Sequence, residues 1–358
     1  MREKCIICGS EKLEKYSASI CPFLKHRMFS DQAVNEVLYS CPDCGFKYSA
    51  FRPTDEEAEK YYQNYMQDEY VIERDSFEPG FLSWRKQYDL EDGFEKEKKS
   101  RKGLMKDLFR KYMFFDKIQT VLDYGGANGE FILDDFTNAK KYVYDIDAEN
   151  LIINANRIKK QDLQTFQWDL IQCNHVLEHV ANPVNLIEEI IKISNDGTFI
   201  YLEVPYESYF EDLIKTGQPV PIHEHINFFT EETFFKIFSR PDFIILNCEV
   251  IEQKDLFGQN KIVRCLVRKI NNVCLALLYQ EIKRQKDKEE LLIKKISEQE
   301  LKNKIMFKYF YLIMKNRSLY LLKIRFLSHV TFGKTRIHYK NKWKEIKNTI
   351  GLFKEVIK

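Results

Sequence analysis

Six short runs rich in β-branched and aromatic residues, near 119–124, 141–146, 168–173, 197–204, 243–250 and 260–267, read as strands. Helical patterns lie between them, such as "NPVNLIEEIIKI", where Asn182 is placed to cap and Pro183 suits the first turn. Strands alternating with helical stretches of about 10–15 residues predict an α/β fold with a mostly parallel, doubly wound sheet. Upstream, "RPTDEEAEKYYQNYM" opens a helix in which Thr54 can cap and Glu57 completes a capping box. Residues 66–115 are charged and aromatic and are expected to be helical, with a turn at "EPG". Downstream, "EIKRQKDKEELLIKKISEQELKNK" reads as a long solvated helix, followed by short basic helices. No internal repeat is present. The expected divisions are 1–52, a helical linker and substrate cover at 53–115, a core at 116–270 and a basic helical extension at 271–358.

At 358 residues, 44% apolar and 31% charged, the chain has material for about two domains and a real core. No apolar run approaches the ~20 residues of a membrane span. The start, "MREKCIICGS", lacks the apolar segment of a signal peptide. A cytoplasmic location is therefore expected. The net charge of +2 conceals an asymmetry: residues 301–358 hold 15 Lys or Arg and 2 acids, whereas the first 300 residues hold 41 and 52. The tail thus calls for its own partner or surface. Its segment "IMFKYFYLIMKNRSLYLLKIRFL" is expected to dock on the core or on a second copy in a homo-oligomer. Peripheral contact with the inner face of the membrane is the alternative. The acidic first 300 residues argue against a nucleic-acid partner.

Nine cysteines are present, four of them as Cys5-x-x-Cys8 and Cys41-x-x-Cys44. An odd total without a signal peptide argues against a disulfide framework. Two such knuckles suit a closed tetrahedral zinc site, which would be structural because four thiolates leave no open position. Cys21 and His26 lie near these knuckles but outside their spacing.

"VLDYGGANGEFI" runs from an apolar strand through Asp123 into Gly125, Gly126 and Gly129. Ligands of open α/β sheets bind at the carboxyl ends of strands, and such a bare turn lets the backbone approach them. A helix starting near Asn128 is expected to point its amides at the ligand. "YVYDID" ends the next strand with Asp145, and with Asp147 as second choice, where a carboxylate can hold both hydroxyls of a ribose. The dinucleotide pattern G-x-G-x-x-G is not met. Instead D-x-G-G-x-x-G, "YDIDAENL", "WDLIQCNHVLEHVANP" and "GTFIYLEVP", in this order, resemble the class I methyltransferases, a Rossmann-like family that binds S-adenosylmethionine. The resemblance covers 119–268 and implies cofactor contacts from Asp123, Gly125, Gly126, Gly129, Asp145, Asn174 and His175. Only about 20 residues separate Asp145 from Trp168, so the region that usually carries a third strand and an adenine contact is abbreviated.

The zinc knuckles ahead of such a core resemble bacterial sugar and surface-polysaccharide methyltransferases, including the sugar C-methyltransferases. That resemblance implies substrate contacts from Tyr65, Tyr70 and Arg74 in the linker. In "PIHEHINFFTEETFFKIF", Thr230 can cap a helix, with Glu231 and Glu232 in its first turn. The preceding Glu224-His225 resembles the Glu-His of those enzymes. A hydroxyl or acidic carbon must lose a proton as it attacks a sulfonium methyl, and a base of near-neutral pKa helps. His225 is thus expected as the base and Glu224 as its orienter or a substrate contact, with His223 a weaker candidate. In "NHVLEH", His179 is expected to anchor the loop and His175 to face the substrate.

The resulting expectation is a zinc-containing, S-adenosylmethionine-dependent enzyme acting on a nucleotide-linked or glycan sugar. O-methylation is favoured because the further α/β domain tied to C-methylation is missing. The alternatives are C-methylation of a keto-sugar, a non-catalytic scaffold that kept the fold, and RNA methylation.

Overall fold

The computed structural model describes residues 3–270, apart from 31, 147–150, 152–153 and 256–257. The chain divides into two units, Met1–Ala276 and Leu277–Lys358. The second unit, and with it the predicted basic extension, lies outside the described residues, as does Asp147.

Two sheets carry the first unit. The N-terminal segment supplies β1 (Glu14–Ile20), α1 (Pro22–Phe29), β2 (Val37–Ser40) and β3 (Lys47–Ser49). Four helices follow: α2 (Asp55–Tyr62), α3 (Asp68–Phe77), α4 (Phe81–Leu90) and α5 (Gly93–Tyr112). The Thr54–Glu57 capping box forms at α2, with the Thr54 side chain accepting from the Glu57 amide and Glu57 accepting from the Thr54 amide. The core then runs β4 (Thr120–Tyr124), β5 (Lys140–Tyr144), β6 (Ala155–Arg157), β7 (Leu170–Asn174), α6 (Pro183–Ile193), β8 (Phe199–Pro205), α7 (Phe210–Thr216), β9 (Val220–Ile222), β10 (Asn227–Phe228), α8 (Glu231–Phe238), β11 (Phe243–Asp255) and β12 (Gly258–Lys269). Asn182 caps α6 by accepting from the Asn185 amide, and Thr230 caps α8 by accepting from the Thr233 amide.

The larger sheet has the order β11-β12-β8-β7-β4-β5-β6. Strands β6, β5, β4, β7 and β8 are parallel, while β12 and β11 add an antiparallel hairpin at one edge. Successive residues of a strand point to opposite faces. On one face Leu122, Ile171, Ile200 and Leu202 pack with Ile187 and Ile190 of α6 and Phe234 and Phe238 of α8. On the other, Val121, Val143, Leu170 and Tyr201 pack with Met105, Leu108 and Phe109 of α5.

The structure corrects one expectation. No helix follows the glycine turn; residues 125–139 are turns that bury Ile132, Leu133 and Phe136 beside α5. The chain is short here, and these side chains fill the space a helix would take. The abbreviated region after Asp145 still yields the three-residue β6 and a 3-10 turn at Lys160–Thr165.

The smaller sheet has the order β10-β3-β2-β1-β9. Its three inner strands come from the N-terminal segment, and both edge strands come from the core between β8 and α8. The cysteine-bearing segment is therefore knit into the core. A second apolar cluster lies here, with Phe23, Leu24, Tyr61, Tyr70 and Phe210 packed on Leu38 and Ile222.

Candidate active site

Chain order reverses on the two sides of β4 and β7, which makes the crevice at their carboxyl ends the natural ligand site. The turn that leaves β4 is unusual. Gly125 and Gly129 have φ of +73° and +84°, and Ala127 between them has +48°, a left-handed conformation that costs a residue with a Cβ about 1–3 kcal/mol. His175, just past β7, is also left-handed at +54°. Gly126 is required for a different reason: a Cβ there would lie 2.2 Å from the carboxyl carbon of Asp123. The Asp145 carboxylate closes the turn by accepting the Ala127 amide at 2.8 Å.

Beneath the turn lies a group of buried polar side chains without hydrogen-bond partners: Asp123, Gln172, Asn174 and Glu178. Unsatisfied groups of this kind are rare in a packed interior. Burial pushes the Asp123 carboxyl up to about 7, against the pull of Gln172 and Arg101. Beside it, Glu203 at the end of β8 is fully buried and pairs with Arg101 of α5 at 2.8 Å. Burial alone would raise Glu203, but Arg101 and His175 hold it down, to about 2. The Glu203 carbonyl accepts the His175 amide at 2.8 Å, and its carboxylate lies 3.4 Å from His175 Nε2. Orphaned polar atoms, a glycine cradle and an acid at the next strand end fit the zwitterionic, ribose-bearing cofactor that the sequence implies. The sequence-selected Asp123, Gly125, Gly126, Gly129, Asp145, Asn174 and His175 all lie around this crevice.

The loop leaving β7 connects this crevice to a second one. Asn227 of β10 donates to the carbonyls of Leu177 and Val180 and accepts from Arg52. This clamp sets His179, whose Nδ1 lies 3.0 Å from the Tyr62 hydroxyl and 3.2 Å from the Glu224 carbonyl oxygen. Burial lowers the His179 pKa. Its ring meets that of His225 edge-on, with centroids 4.8 Å apart.

A cleft of about 190 Å³ opens beside His225, lined by Arg74, Glu207, Tyr209, Pro221, His223, Glu224 and Phe228. Here the geometry departs from the sequence reading. The partner of His225 Nδ1 is Glu207, whereas the Glu224 carboxylate bonds other side chains. Burial would lower His225, but Glu207 outweighs it and raises it to about 9. The Glu224 carboxylate accepts from the hydroxyls of Tyr61 (2.7 Å) and Tyr65 (3.4 Å) and from Arg74 (3.2 Å). Burial would raise Glu224, yet Arg74 and Tyr61 hold it down, to about 2. Of the three selected linker residues, Tyr65 and Arg74 contact Glu224 directly, and Tyr70 packs edge-on against Tyr61 and Tyr65. Tyr61, Tyr62, Arg52, Glu207 and Asn227 were missed. Tyr61 and Tyr62 stand in the same tyrosine-rich run as Tyr65, a signal that was available; Glu207 and Asn227 carry none.

The four knuckle cysteines converge. Cys5 and Cys44 sulfurs lie 3.6 Å apart, Cys8 and Cys41 3.5 Å, and all four fall within 4.8 Å of one another. A tetrahedral zinc with ~2.3 Å bonds needs sulfurs about 3.8 Å apart. Gly9 and Gly45, each with φ +72°, close the two knuckles in the same way, by donating to the carbonyls of Cys5 and Cys41. Thr233 of α8 donates to the Cys44 carbonyl, which seats the cluster on the core.

Among the described residues no helix is long and apolar enough to cross a membrane. Residues 95–247 match a protein family described as "Methyltransferase domain". No protein of curated function matches the sequence. Solved structures similar to the chain include a SAM-dependent methyltransferase from Anabaena variabilis, at 13% identity over 48% of this chain and 85% of that one, with a TM-score of 0.37. Another is magnesium protoporphyrin IX methyltransferase from Synechocystis with bound SAH, at 17% identity over 56% and 99%, with a TM-score of 0.38. A third is the mitomycin 7-O-methyltransferase, at 13% identity over 58% and 60%, with a TM-score of 0.33. Over residues 95–247 the chain is thus similar to methyltransferase domains.

Proposed function

We propose that the enzyme methylates a sugar hydroxyl, on a nucleotide-linked sugar or a surface glycan, with His225 as the base. The observation that carries this reading is the His225–Glu207 pair at a cleft of carboxylates, Arg74 and aromatic side chains. Carboxylates and a guanidinium bond sugar hydroxyls, and aromatic faces cover their C–H surfaces. When bound in the β4–β7 crevice, S-adenosylmethionine supplies a methyl already activated for in-line displacement. Asp123, Asn174 and His175 would hold its amino-acid end, the 125–129 turn would cradle it, and Asp145 would take the ribose.

The chain's own work is then to align the acceptor and take one proton. Glu207 accepts from Nδ1 and fixes the ring. Because the same pair raises His225 to about 9, Nε2 receives the proton of the acceptor hydroxyl in the fraction of enzyme whose ring is neutral, so turnover should rise as pH approaches 9. Arg74, Tyr61 and Tyr65 hold the Glu224 carboxylate in place as a contact for neighbouring hydroxyls. The loop from Asn174 to His179 joins the two crevices, so acceptor and cofactor residues share one short segment. Cys5, Cys8, Cys41 and Cys44 would hold a zinc ion that braces the cover without entering the chemistry.

The test is His225→Ala, assayed with S-adenosylmethionine and a panel of nucleotide-linked sugars by mass spectrometry. Cofactor binding should survive and turnover should fall by about 10²–10⁴. Undiminished turnover would remove His225 from the reaction. Loss of an acceptor C–H to deuterated buffer would reassign the product to carbon methylation.

A further inference from the structure

Three side chains of the metal-ligating kind meet at the rim of the acceptor cleft, and methyl transfer as derived uses none of them. The parallel pairing of β1 with β9 sets Ile20 opposite Ile222, and the Cys21 amide donates to the Ile222 carbonyl at 2.9 Å. The residues that leave the two strand ends, Cys21 and His223, therefore stand side by side although 202 positions separate them. Cys21 Sγ lies 3.0 Å from His223 Nδ1. Glu78 arrives from the end of α3, and one donor atom from each of the three falls within 4.8 Å of the others. This cluster shares no residue with the four-cysteine group.

We infer that Cys21, Glu78 and His223 form a second metal site, a three-ligand site for a zinc-like divalent ion. The donor set decides the class of ion. A thiolate and an imidazole suit zinc, whereas magnesium and calcium prefer all-oxygen shells. Zinc bonds to sulfur and nitrogen would set those atoms about 3.6 Å apart, so the 3.0 Å contact must open by roughly half an ångström. His223 is exposed and can make that adjustment. Charge favours it as well. Arg74 and His225 face Glu78, Glu207 and Glu224 around the cleft; with a Cys21 thiolate, the surplus is two negative charges even when His225 is counted as a cation. Arg74 bonds one oxygen of Glu78, at 2.8 Å, and a carboxylate has a second. Three protein ligands leave a fourth position open, the arrangement of an ion that takes a water or a ligand oxygen, in contrast to the closed four-thiolate cluster. His223 also lines the acceptor cleft, so an oxygen at that position would belong to whatever enters the cleft.

The test reads metal and not activity. The metal-stripped full chain is titrated with Co²⁺, whose visible bands report its ligands, and zinc content is measured after dialysis against Zn²⁺. The wild type should take two equivalents, one with the strong thiolate bands of a four-cysteine site and one with weaker bands. His223→Ala should take one and keep the four-thiolate spectrum. Because His223 is exposed, this variant retains its fold where Cys21→Ser could fail. A wild type that saturates at one equivalent, or a His223→Ala chain that still takes two, would overturn the assignment.

Discussion

Replacing Arg101 by Met keeps most of the side-chain volume and removes the one guanidinium that contacts the fully buried Glu203 carboxylate. The depressed Glu203 pKa sets the magnitude. Held at about 2 in the folded chain where a free glutamate stands near 4.5, Glu203 contributes about 3 kcal/mol at pH 7. The sign follows from linkage: a depressed carboxyl contributes stability above pH 4.5 and loses it as pH falls towards 2. At pH 3 only about 1 kcal/mol of that contribution should remain. In Arg101→Met the carboxylate stays buried without its partner, so its pKa rises and the contribution at neutral pH vanishes. Urea denaturation of both proteins at pH 7 and pH 3 checks this. The gap should be about 3–5 kcal/mol at pH 7 and shrink severalfold at pH 3. A gap under about 1 kcal/mol at pH 7, or one that does not change with pH, would refute the reasoning. The same variant should weaken S-adenosylmethionine binding, because the Glu203 carbonyl and carboxylate both position His175.

Three other outcomes are expected. Gly126→Ala places a Cβ against the Asp123 carboxyl, and calorimetry should show cofactor affinity lost together with about 1–3 kcal/mol of stability. Asp145→Ala frees the Ala127 amide and removes the acid at the end of β5, so S-adenosylmethionine should bind at least about tenfold more weakly; that loss is ~1.4 kcal/mol, the lower range of a charged hydrogen bond. Chelation of the four-cysteine metal should lower the melting temperature and speed amide exchange in α8, because Cys44 and Gly45 pack on the capping residues Thr233 and Thr230.

The strands that carry the crevice were legible in the sequence because each is long enough to show its apolar pattern. Six of them match the predicted runs, and the caps at Thr54, Asn182 and Thr230 form as their local chemistry demands. Strands β1, β2 and β3 of the cysteine-bearing segment were not anticipated, and the other strands that escaped detection are short or remote. Strands β6, β9 and β10 hold three, three and two residues, too few for any periodicity, and β9 finds its partner some 200 positions away. The helix expected after the glycine turn failed because fifteen residues of turn bury three apolar side chains directly. Of the two roles expected for Glu224, orienter of His225 or substrate contact, the first position is occupied by Glu207. The chain bends at 223–224, and the Glu224 carboxylate is taken up by Tyr61, Tyr65 and Arg74. Glu207 reaches the ring from the end of β8 instead.

The braided second sheet has a consequence for synthesis. Its inner strands emerge first, and the four-cysteine knuckle can close once residue 44 is out. Yet both edges of that small sheet, along β1 and β3, stay unpaired until β9 and β10 are made. At about 5–20 residues per second, the wait between Cys21 and His223 is about 10–40 s. During that interval a bare pair of strand edges is exposed, the usual starting point for wrong pairing between chains. The nascent protein is therefore most exposed to aggregation before translation reaches residue 228, and slower translation upstream of that point would lengthen the hazard.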